Sequence, residues 1–489
     1  MPSGGTAEQT LKSGIWLGLM NFLNRGLQIV MLIILANLLN PEDFGLMGIA
    51  LLTLSALKKF SNLGLSTALI QDEDENVDEY LNSAWVLQIA RGLVIVALLL
   101  LAAPLVASVF GEPRVTDVLR VIAISPLLLA VRNPAVVYFQ KNLDFHKEFL
   151  YKTSGSVAQF CVALGYGLLF PTVWALVFGF VTADVVRLLV SYLAHSFRPR
   201  LTFDLQHAKD LVGYGKWITG NSILVFLITE GDDIIVGWLL DATSLGFYQN
   251  AYRLSNAPAT ELTQVIAGVM FPAYSKLQED LAAVRDAYFR TLQITTIVAF
   301  PAALGIAAIA PVFVSTFMGT EWMPMVATLQ LLTVYGLMRS VGKTTGPVFQ
   351  ALGRPDIVTK LAALRLVLIA IFIIPAVRRF GIEGAALVIV GVALFPMLLL
   401  DIYALKRILE APYRRFFRDL VYPLVASGVM FATVVYVRQQ AVLSSVAEFV
   451  LLLVTGVVTY VVAVGVLEVR FGWGIRRNLR SILSIVSKS

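Results

Sequence analysis

The sequence is short of charge, of cysteine and of histidine. Only 14% of its 489 residues are Asp, Glu, Lys or Arg, against roughly 25% in soluble globular chains. Hydrophobic residues make up 58%, and the mean hydropathy is +0.78. That balance holds along the whole chain and excludes an ordinary soluble domain. The single cysteine, Cys161, excludes an internal disulfide. The three histidines, His146, His195 and His207, lie on different segments, apart from Cys161, which excludes a His/Cys metal site. All three fall at or near cytoplasmic helix ends, which argues against a histidine proton relay at the midplane. No Ser/His/Asp set can be assembled at the outer face. No segment alternates strongly enough to suggest a β-barrel. The opening MPSGGTAEQTLKSG leads into an apolar segment too long for a signal-peptide core and without a small-residue cleavage site, so no cleavable signal is expected.

What is present is a series of apolar segments. About 20 residues suffice to cross a bilayer as helix. Fourteen segments qualify: 14–39, 44–69, 82–109, 115–138, 148–170, 172–195, 214–240, 245–275, 288–317, 325–350, 357–377, 382–405, 417–437 and 446–468. The expectation is an all-α polytopic membrane protein with short connections and no large extramembrane domain. With an even number of spans both termini share a side. The loops on that side carry 21 Lys and Arg, among them Lys141, Lys147, Lys406, Arg407, Arg414, Arg415, Arg418, Arg476 and Arg477; the other side carries four. The positive-inside rule therefore puts both termini in the cytoplasm. The net charge of +6 is read as this topology signal, with no nucleic-acid partner. The acidic loop QDEDENVDEY (71–80) weighs little in that rule.

An internal repeat runs through the chain. Gly14 and Trp16 fall on Gly215 and Trp217, the LLN at 38–40 on the LLD at 239–241, and Gly45 on Gly246, all at a shift of 201. Phe139-Gln140 match Phe349-Gln350 at 210, and Ala175-Leu176-Val177 match Ala386-Leu387-Val388 at 211. Six spans separate the copies, so the halves share an orientation, related by an axis along the membrane normal. The division expected is a first six-helix lobe at 1–196, a linker at 197–213, a second lobe at 214–410, and two extra helices with a basic tail at 411–489. Such lobes suggest alternating access around a central cavity.

Charges at bilayer depth are costly and usually face a cavity or a partner. The candidates are Arg25, Lys58, Lys59, Arg91, Arg132, Asp184 and Arg187 in the first lobe. In the second they are Glu230, Asp232, Asp233, Arg253, Glu261, Arg339, Lys343, Arg365 and Asp401, giving ten cations to six anions overall. A cationic lining favours an anionic substrate, and Arg offers paired donors to phosphate oxygens. Arg25, Arg91, Arg132, Arg253, Arg339, Lys343 and Arg365 form the candidate substrate cavity. Glu230, Asp232 and Asp233 are candidates for coupling to H⁺ or Na⁺, and polar packing between helices remains open for them. Asp233 and Arg253 are equally readable as a structural ion pair. Lys58, Lys59, Arg120 and Arg187 are equally readable as side chains snorkelling to an interface.

The stretch VYGLMRSVGKTTGPVFQ (334–350) contains GKT, but a phosphate-binding loop needs four residues between its first glycine and the GK pair. Here Gly336 and Gly342 are separated by five, inside an apolar helix with no room for an ATPase domain. Arg339 and Lys343 are four apart, hence on one helix face.

Several collinear stretches carry a resemblance. They are ILANLLNPEDFGLMGIA (34–50), FSNLGLSTALIQ (60–71), VYFQKNLDFHKE (137–148), WALVFG (174–179), GDDIIVGWLLDATSLGFYQNAYRLSNAPA (231–259), VMFPAYSKLQED (269–280) and FQALGRPD (349–356). In order and spacing they resemble the polysaccharide-transporter branch of the MOP superfamily, in particular Wzx-type flippases of the WzxC/TuaB-like group. The last two spans match only in hydrophobicity and basic character. The resemblance implies a V-shaped pair of pseudo-symmetric six-helix lobes plus two C-terminal helices. It implies a transporter, not an enzyme, that moves polyprenyl-diphosphate-linked oligosaccharides from the cytoplasmic to the outer leaflet, with no cofactor beyond a coupling ion. By position Asp233 matches the family's acidic residue in helix seven, and Arg253 its basic residue after the Gly-Phe-Tyr turn. The partners it implies are the lipid-linked oligosaccharide and the bilayer, with a polysaccharide polymerase and glycosyltransferases nearby, for a protein working as a monomer in the inner (plasma) membrane. Three rivals stay open: a multidrug exporter or a peptidoglycan-precursor flippase of the same superfamily, and a membrane polymerase or ligase. The last would need a large outer loop, and GEPRVTD and MGTEWMPM are too short.

Overall fold

The structure, a computed structural model, describes residues 3–62, 78–142, 144–202, 205–440 and 445–473. The acidic stretch 71–77 and the basic tail with Arg476, Arg477, Arg480 and Lys488 lie outside them, as do the side chains of Lys12, Lys209 and Glu261. Among the described residues every regular element is helical. That is the expected outcome in hydrocarbon, where each backbone N–H and C=O must find its partner within the chain. The chain divides into two compact units, residues 1–246 and 247–489; the sequence reading drew its lobe boundaries at 196 and 214.

In the first unit the helices are α1 (Ser3–Leu38), α2 (Pro41–Phe60), α3 (Asp78–Phe110), α4 (Val115–Ile122), α5 (Ile124–Ala130), α6 (Val137–Lys141), α7 (Phe145–Leu169), α8 (Trp174–Ala194) and α9 (Leu205–Leu239). Asn40 breaks the chain between α1 and α2, and Pro41 opens α2 at the position where a missing N–H costs nothing. The Asp43 carboxylate accepts from the Asn40 N–H at 3.3 Å and, with its other oxygen, from the Val173 N–H at 3.0 Å. One side chain thus caps α2 and ties it to the start of α8. Helices α7 and α8 pack closely, with α1 against α7 and α9 against α2 and α3.

The span expected at 115–138 is not one helix. It is built from α4, α5 and, after a break, the stretch Pro134–Lys141, bent by 75°. The cause is Asn133-Pro134: the proline ring disfavours helical geometry at the residue before it, and Asn133 is extended, at φ −60° and ψ 118°. The Asn133 side chain then accepts from the Ala135 N–H at 3.0 Å and donates to the Phe197 carbonyl at 2.8 Å. Tyr192 donates to the freed Val131 carbonyl at 2.8 Å. Polar side chains thereby replace helix bonds that the proline removes.

In the second unit the helices are α10 (Ala242–Lys276, which begins in the first), α11 (Leu281–Phe317), α12 (Val326–Ala351), α13 (Pro355–Val392), α14 (Leu398–Leu409), α15 (Tyr413–Gln440) and α16 (Ser445–Phe471). Asp280 caps α11 through the N–H groups of Ala282 and Ala283. The chain turns at Gly381 inside α13, where φ is +59°, so the eleventh and twelfth spans are separated as the sequence predicts. A π-helical turn, Ala393–Met397 with Pro396 inside it, leads into α14. Helix α11 is central. One core joins its Tyr288, Phe289 and Leu292 to Val348 and Phe349 of α12 and to Ile402 and Leu405 of α14. A second joins its Ala308 and Val312 to Met430 and Val434 of α15 and Leu452 of α16. Tyr460 donates to the Ile297 carbonyl at 2.6 Å, so the last helices are docked by hydrogen bond as well as by packing. Val450, Val454, Val457, Val458, Val461 and Val462 of α16 stay exposed, as a lipid-facing surface requires. With the broken fourth span counted once and α13 counted at its turn, the described residues make fourteen helical passes. The protein is a multi-pass membrane protein.

Two glycines related by the repeat meet. A Cβ on Gly45 would lie 1.7 Å from the Ala242 carbonyl oxygen, and one on Gly246 would lie 2.1 Å from that of Pro41. Neither backbone can yield as a flexible side chain would. Gly45→Val and Gly246→Val are therefore expected to cost more than the roughly 1–3 kcal/mol typical of overpacking and to aggregate on size-exclusion chromatography in detergent. Gly18→Ala, where a Cβ meets nothing within 4 Å, is expected to elute as the parent protein does.

Candidate functional site

Charged side chains gather in each unit. In the first, α2 ends with Lys58 and Lys59. The last carbonyls of a helix lack partners and carry partial negative charge. Arg91 of α3 meets them, donating from Nη2 to the Lys58 carbonyl at 2.6 Å and from Nε to Ser61 Oγ at 3.1 Å. Asp184 of α8 is 2% exposed. It accepts from Ser125 Oγ at 2.5 Å and from Arg187 Nη1 at 3.0 Å. Arg187 passes so close over α7 that a Cβ on Gly155 would sit 2.5 Å from its Nε. Arg132, at the break in the fourth span, donates to the Tyr151 hydroxyl at 2.8 Å.

These groups form one electrostatic neighbourhood. Lys58 feels the charges of Asp184, Arg91, Arg187 and Arg132. Asp184 is the one carboxylate among these charges, and Arg187 is the cation paired with it.

In the second unit Tyr335, Arg339 and Lys343 follow one another at intervals of four along α12. Arg365 of α13 donates to the Tyr335 hydroxyl at 2.5 Å, with its guanidinium 5.2 Å from the ring centroid. The ring of Tyr252 lies 5.9 Å from that of Tyr335. Lys343 feels both Arg339 and Arg365. Asp401, two turns before the end of α14, acts on buried Tyr288, whose hydroxyl is 3.4 Å from Thr345 Oγ1.

Of the residues singled out from the sequence, the structure thus brings Arg91 and Arg132 together in one unit and Arg339, Lys343 and Arg365 in the other. Arg25 is half-buried on α1. Asp232 is 5% exposed on α9, with Glu230 and Asp233 half-buried on the same helix. Arg253 is exposed on α10 and belongs to the second unit, whereas Asp233 belongs to the first. Lys58 and Arg187 enter the first cluster, although their sequence context fits snorkelling as well. Ser125, Tyr151 and Tyr335, which hold the charges in place, carry no signal in the sequence beyond being polar in apolar spans. Among the described residues no three His, Cys, Asp or Glu side chains converge as a metal site. His146 packs against the Trp16 ring at 5.2 Å, and His195 stacks on Tyr138 at 5.8 Å.

Known proteins resemble the chain as a whole. A family model described as "Polysaccharide biosynthesis protein" matches residues 34–327. The chain is 26% identical over 422 residues to the lipopolysaccharide biosynthesis protein WzxC of Escherichia coli (strain K12), covering 86% of each chain. It is 24% identical over 342 residues to the succinoglycan biosynthesis transport protein ExoT of Rhizobium meliloti (strain 1021), covering 70% of this chain and 69% of that one. Among solved structures, the lipid II flippase MurJ in an inward closed conformation superposes with a TM-score of 0.73 at 13% identity, over 92% of this chain and 98% of that one. That likeness establishes a shared fold.

The Asp184–Arg187 pair gives a test of the first cluster. Removing one partner of a buried pair costs about 3–5 kcal/mol, and the 28% exposure of the Arg187 side chain reduces that to about 1–3 kcal/mol. Asp184→Asn is expected to lower the thermal unfolding midpoint in detergent. Asp184→Asn with Arg187→Gln is expected to regain part of the loss.

Proposed function

The chain belongs to the polysaccharide biosynthesis protein family, and from that premise we propose that it is a flippase for polyprenyl-diphosphate-linked oligosaccharides. It carries them from the cytoplasmic to the outer leaflet of the plasma membrane. The observation that supports this reading is that three arginines, Arg91, Arg132 and Arg187, and one carboxylate, Asp184, act on Lys58, with Asp184 paired to Arg187. A diphosphate supplies the missing negative charge, and guanidinium groups match its oxygens in pairs. The second cluster, Arg339, Lys343 and Arg365, offers the same chemistry. Exposing such groups alternately to the two leaflets moves the head group while the prenyl chain stays in lipid. The relatives, polysaccharide biosynthesis and transport proteins, support the reading, as does the similar fold of a lipid II flippase.

The basic loops support cytoplasmic termini. Glu230, Asp232 and Asp233 on α9 are the side chains proposed for H⁺ or Na⁺ coupling. A monomer suffices for the transport step, with glycosyltransferases supplying the substrate and a polymerase consuming it. A multidrug exporter for cations is disfavoured by the sign of both clusters. A polymerase or ligase is disfavoured by connections as short as 318–325 between α11 and α12.

The test is flipping of fluorescent polyprenyl-diphosphate sugars in proteoliposomes. Lys58→Met with Arg91→Gln, and separately Arg339→Ala with Lys343→Ala, are expected to slow flipping at least tenfold, equivalent to about 1.4 kcal/mol. Unchanged rates in both double variants would overturn the reading.

A further inference from the structure

The end of α14 and the start of α15 carry cations that belong to neither cluster. On α14, Tyr403, Lys406 and Arg407 share one exposed face, in line with exposed Leu399. On α15, Arg414, Phe417 and Arg418 share another, followed along the helix by exposed Val421, Leu424 and Val425. Each helix thus presents an apolar stripe that ends in two cations. The two ends meet at the turn, where Lys406 Nζ lies 4.3 Å from the centroid of the Tyr413 ring. Only residues 410–412 connect the helices, with Glu410 in the left-handed region at φ +50°. Arg285 of α11 donates to the Leu409 carbonyl at 3.4 Å. Arg415 pairs with Asp286 of α11 at 2.5 Å and lies 4.5 Å from the centroid of the Phe289 ring. The turn is therefore pinned to α11. Arg418 meets the buried Asp419 carboxylate at 3.2 Å. Three cations are left over: among the described residues Lys406, Arg407 and Arg414 form no ion pair.

Depth in the bilayer identifies the anion they fit. Arg418 and Arg438 stand 20 residues apart on α15 (438 − 418). At about 1.5 Å per residue that separation is roughly 30 Å, the thickness of the hydrocarbon core. The turn therefore lies at the level of lipid phosphates, with the apolar stripes beside acyl chains. Exposed Tyr413 and Phe417 sit where aromatic side chains gather at membrane interfaces. A soluble anion would match the cations and leave the stripes uncovered. A phospholipid matches both, because its phosphate carries the chains that cover the stripes. Zwitterionic headgroups bring an ammonium of their own, which the unpaired cations repel. A headgroup with net negative charge is the better fit.

We propose that the α14–α15 turn binds an anionic phospholipid of the adjacent leaflet, with its phosphate held by Lys406, Arg407 and Arg414 and its acyl chains on the two stripes. The site is independent of the flippase reading, and its test needs no flipping. The full chain in detergent is titrated with dioleoyl phosphatidylglycerol or dioleoyl phosphatidylcholine, and bound lipid is counted by native mass spectrometry. The parent is expected to hold its first phosphatidylglycerol about tenfold more tightly than its first phosphatidylcholine. Lys406→Gln with Arg407→Gln and Arg414→Gln is expected to remove that preference. All three side chains are exposed, so the thermal unfolding midpoint is expected to stay unchanged. Lys406→Arg with Arg407→Lys and Arg414→Lys retains the charge and is expected to retain the preference. Lys141→Gln with Lys147→Gln and Arg200→Gln removes as many cations from the first unit and is expected to leave the preference intact. The proposal is overturned if the parent shows no preference, or if the first triple variant keeps it. Equal loss in the first-unit variant also overturns it, since the preference would then follow net charge and no particular site. Binding of a polyglutamate peptide, lost in the first triple variant and without any lipid preference, would assign the surface to an acidic protein instead.

Discussion

Hydrocarbon offers no water to a charge, and much of the first unit is arranged around that fact. Four cations sit among helices with one carboxylate to share. The three arginines are held by different devices. Arg91 takes the open carbonyls at the end of α2, Arg187 takes Asp184, and Arg132 takes a tyrosine hydroxyl. Ser125 fills the second oxygen of Asp184, so that the acid is satisfied on both sides. Even the backbone of α7 defers to the arrangement, since any side chain at position 155 would displace Arg187. Those contacts orient the charges without neutralising them. A structural ion-pair network would supply acids in equal number, and this one does not.

The second unit handles its cations differently. Arg365 spreads its charge over the face and hydroxyl of Tyr335, which in turn packs near Tyr252. Aromatic quadrupoles attract a cation without cancelling it. Arg339 and Lys343 share one face of α12, as their spacing of four predicts, and act on one another. The GKT tripeptide at 342–344 is therefore a helical segment whose lysine joins an arginine pair, in a chain with no phosphate-binding loop around it.

The spans were legible because hydrophobic length needs only local sequence. The turn between the eleventh and twelfth was legible because Gly381 sits in an interrupted apolar run. The fourth span was misjudged as continuous, although Asn133-Pro134 is a turn signal, because the apolar run continues across it. The convergence of Lys58, Arg91, Arg132, Asp184 and Arg187 could not be read at all. Their helices are up to 129 positions apart in sequence, and only packing determines which faces meet. The stretch VYFQKNLDFHKE served as a signature of resemblance alone. Folded, its Gln140 and Glu148 meet across the hairpin between α6 and α7 and build a cavity wall. Polar residues eight apart in a loop-containing segment gave no period by which to pair them.

The repeat separates what the architecture requires from what the substrate requires. Gly45 and Gly246 correspond at the shift of 201 and touch, so both copies kept glycine where two turns meet backbone to backbone. The charges did not follow. At the same shift Arg25 falls on Phe226 and Lys58 on Ala259. At the later shift of 211, by contrast, Arg132 falls on Lys343. The arginines are anchored differently in the two units, Arg187 by the Asp184 carboxylate and Arg365 by the Tyr335 hydroxyl and ring.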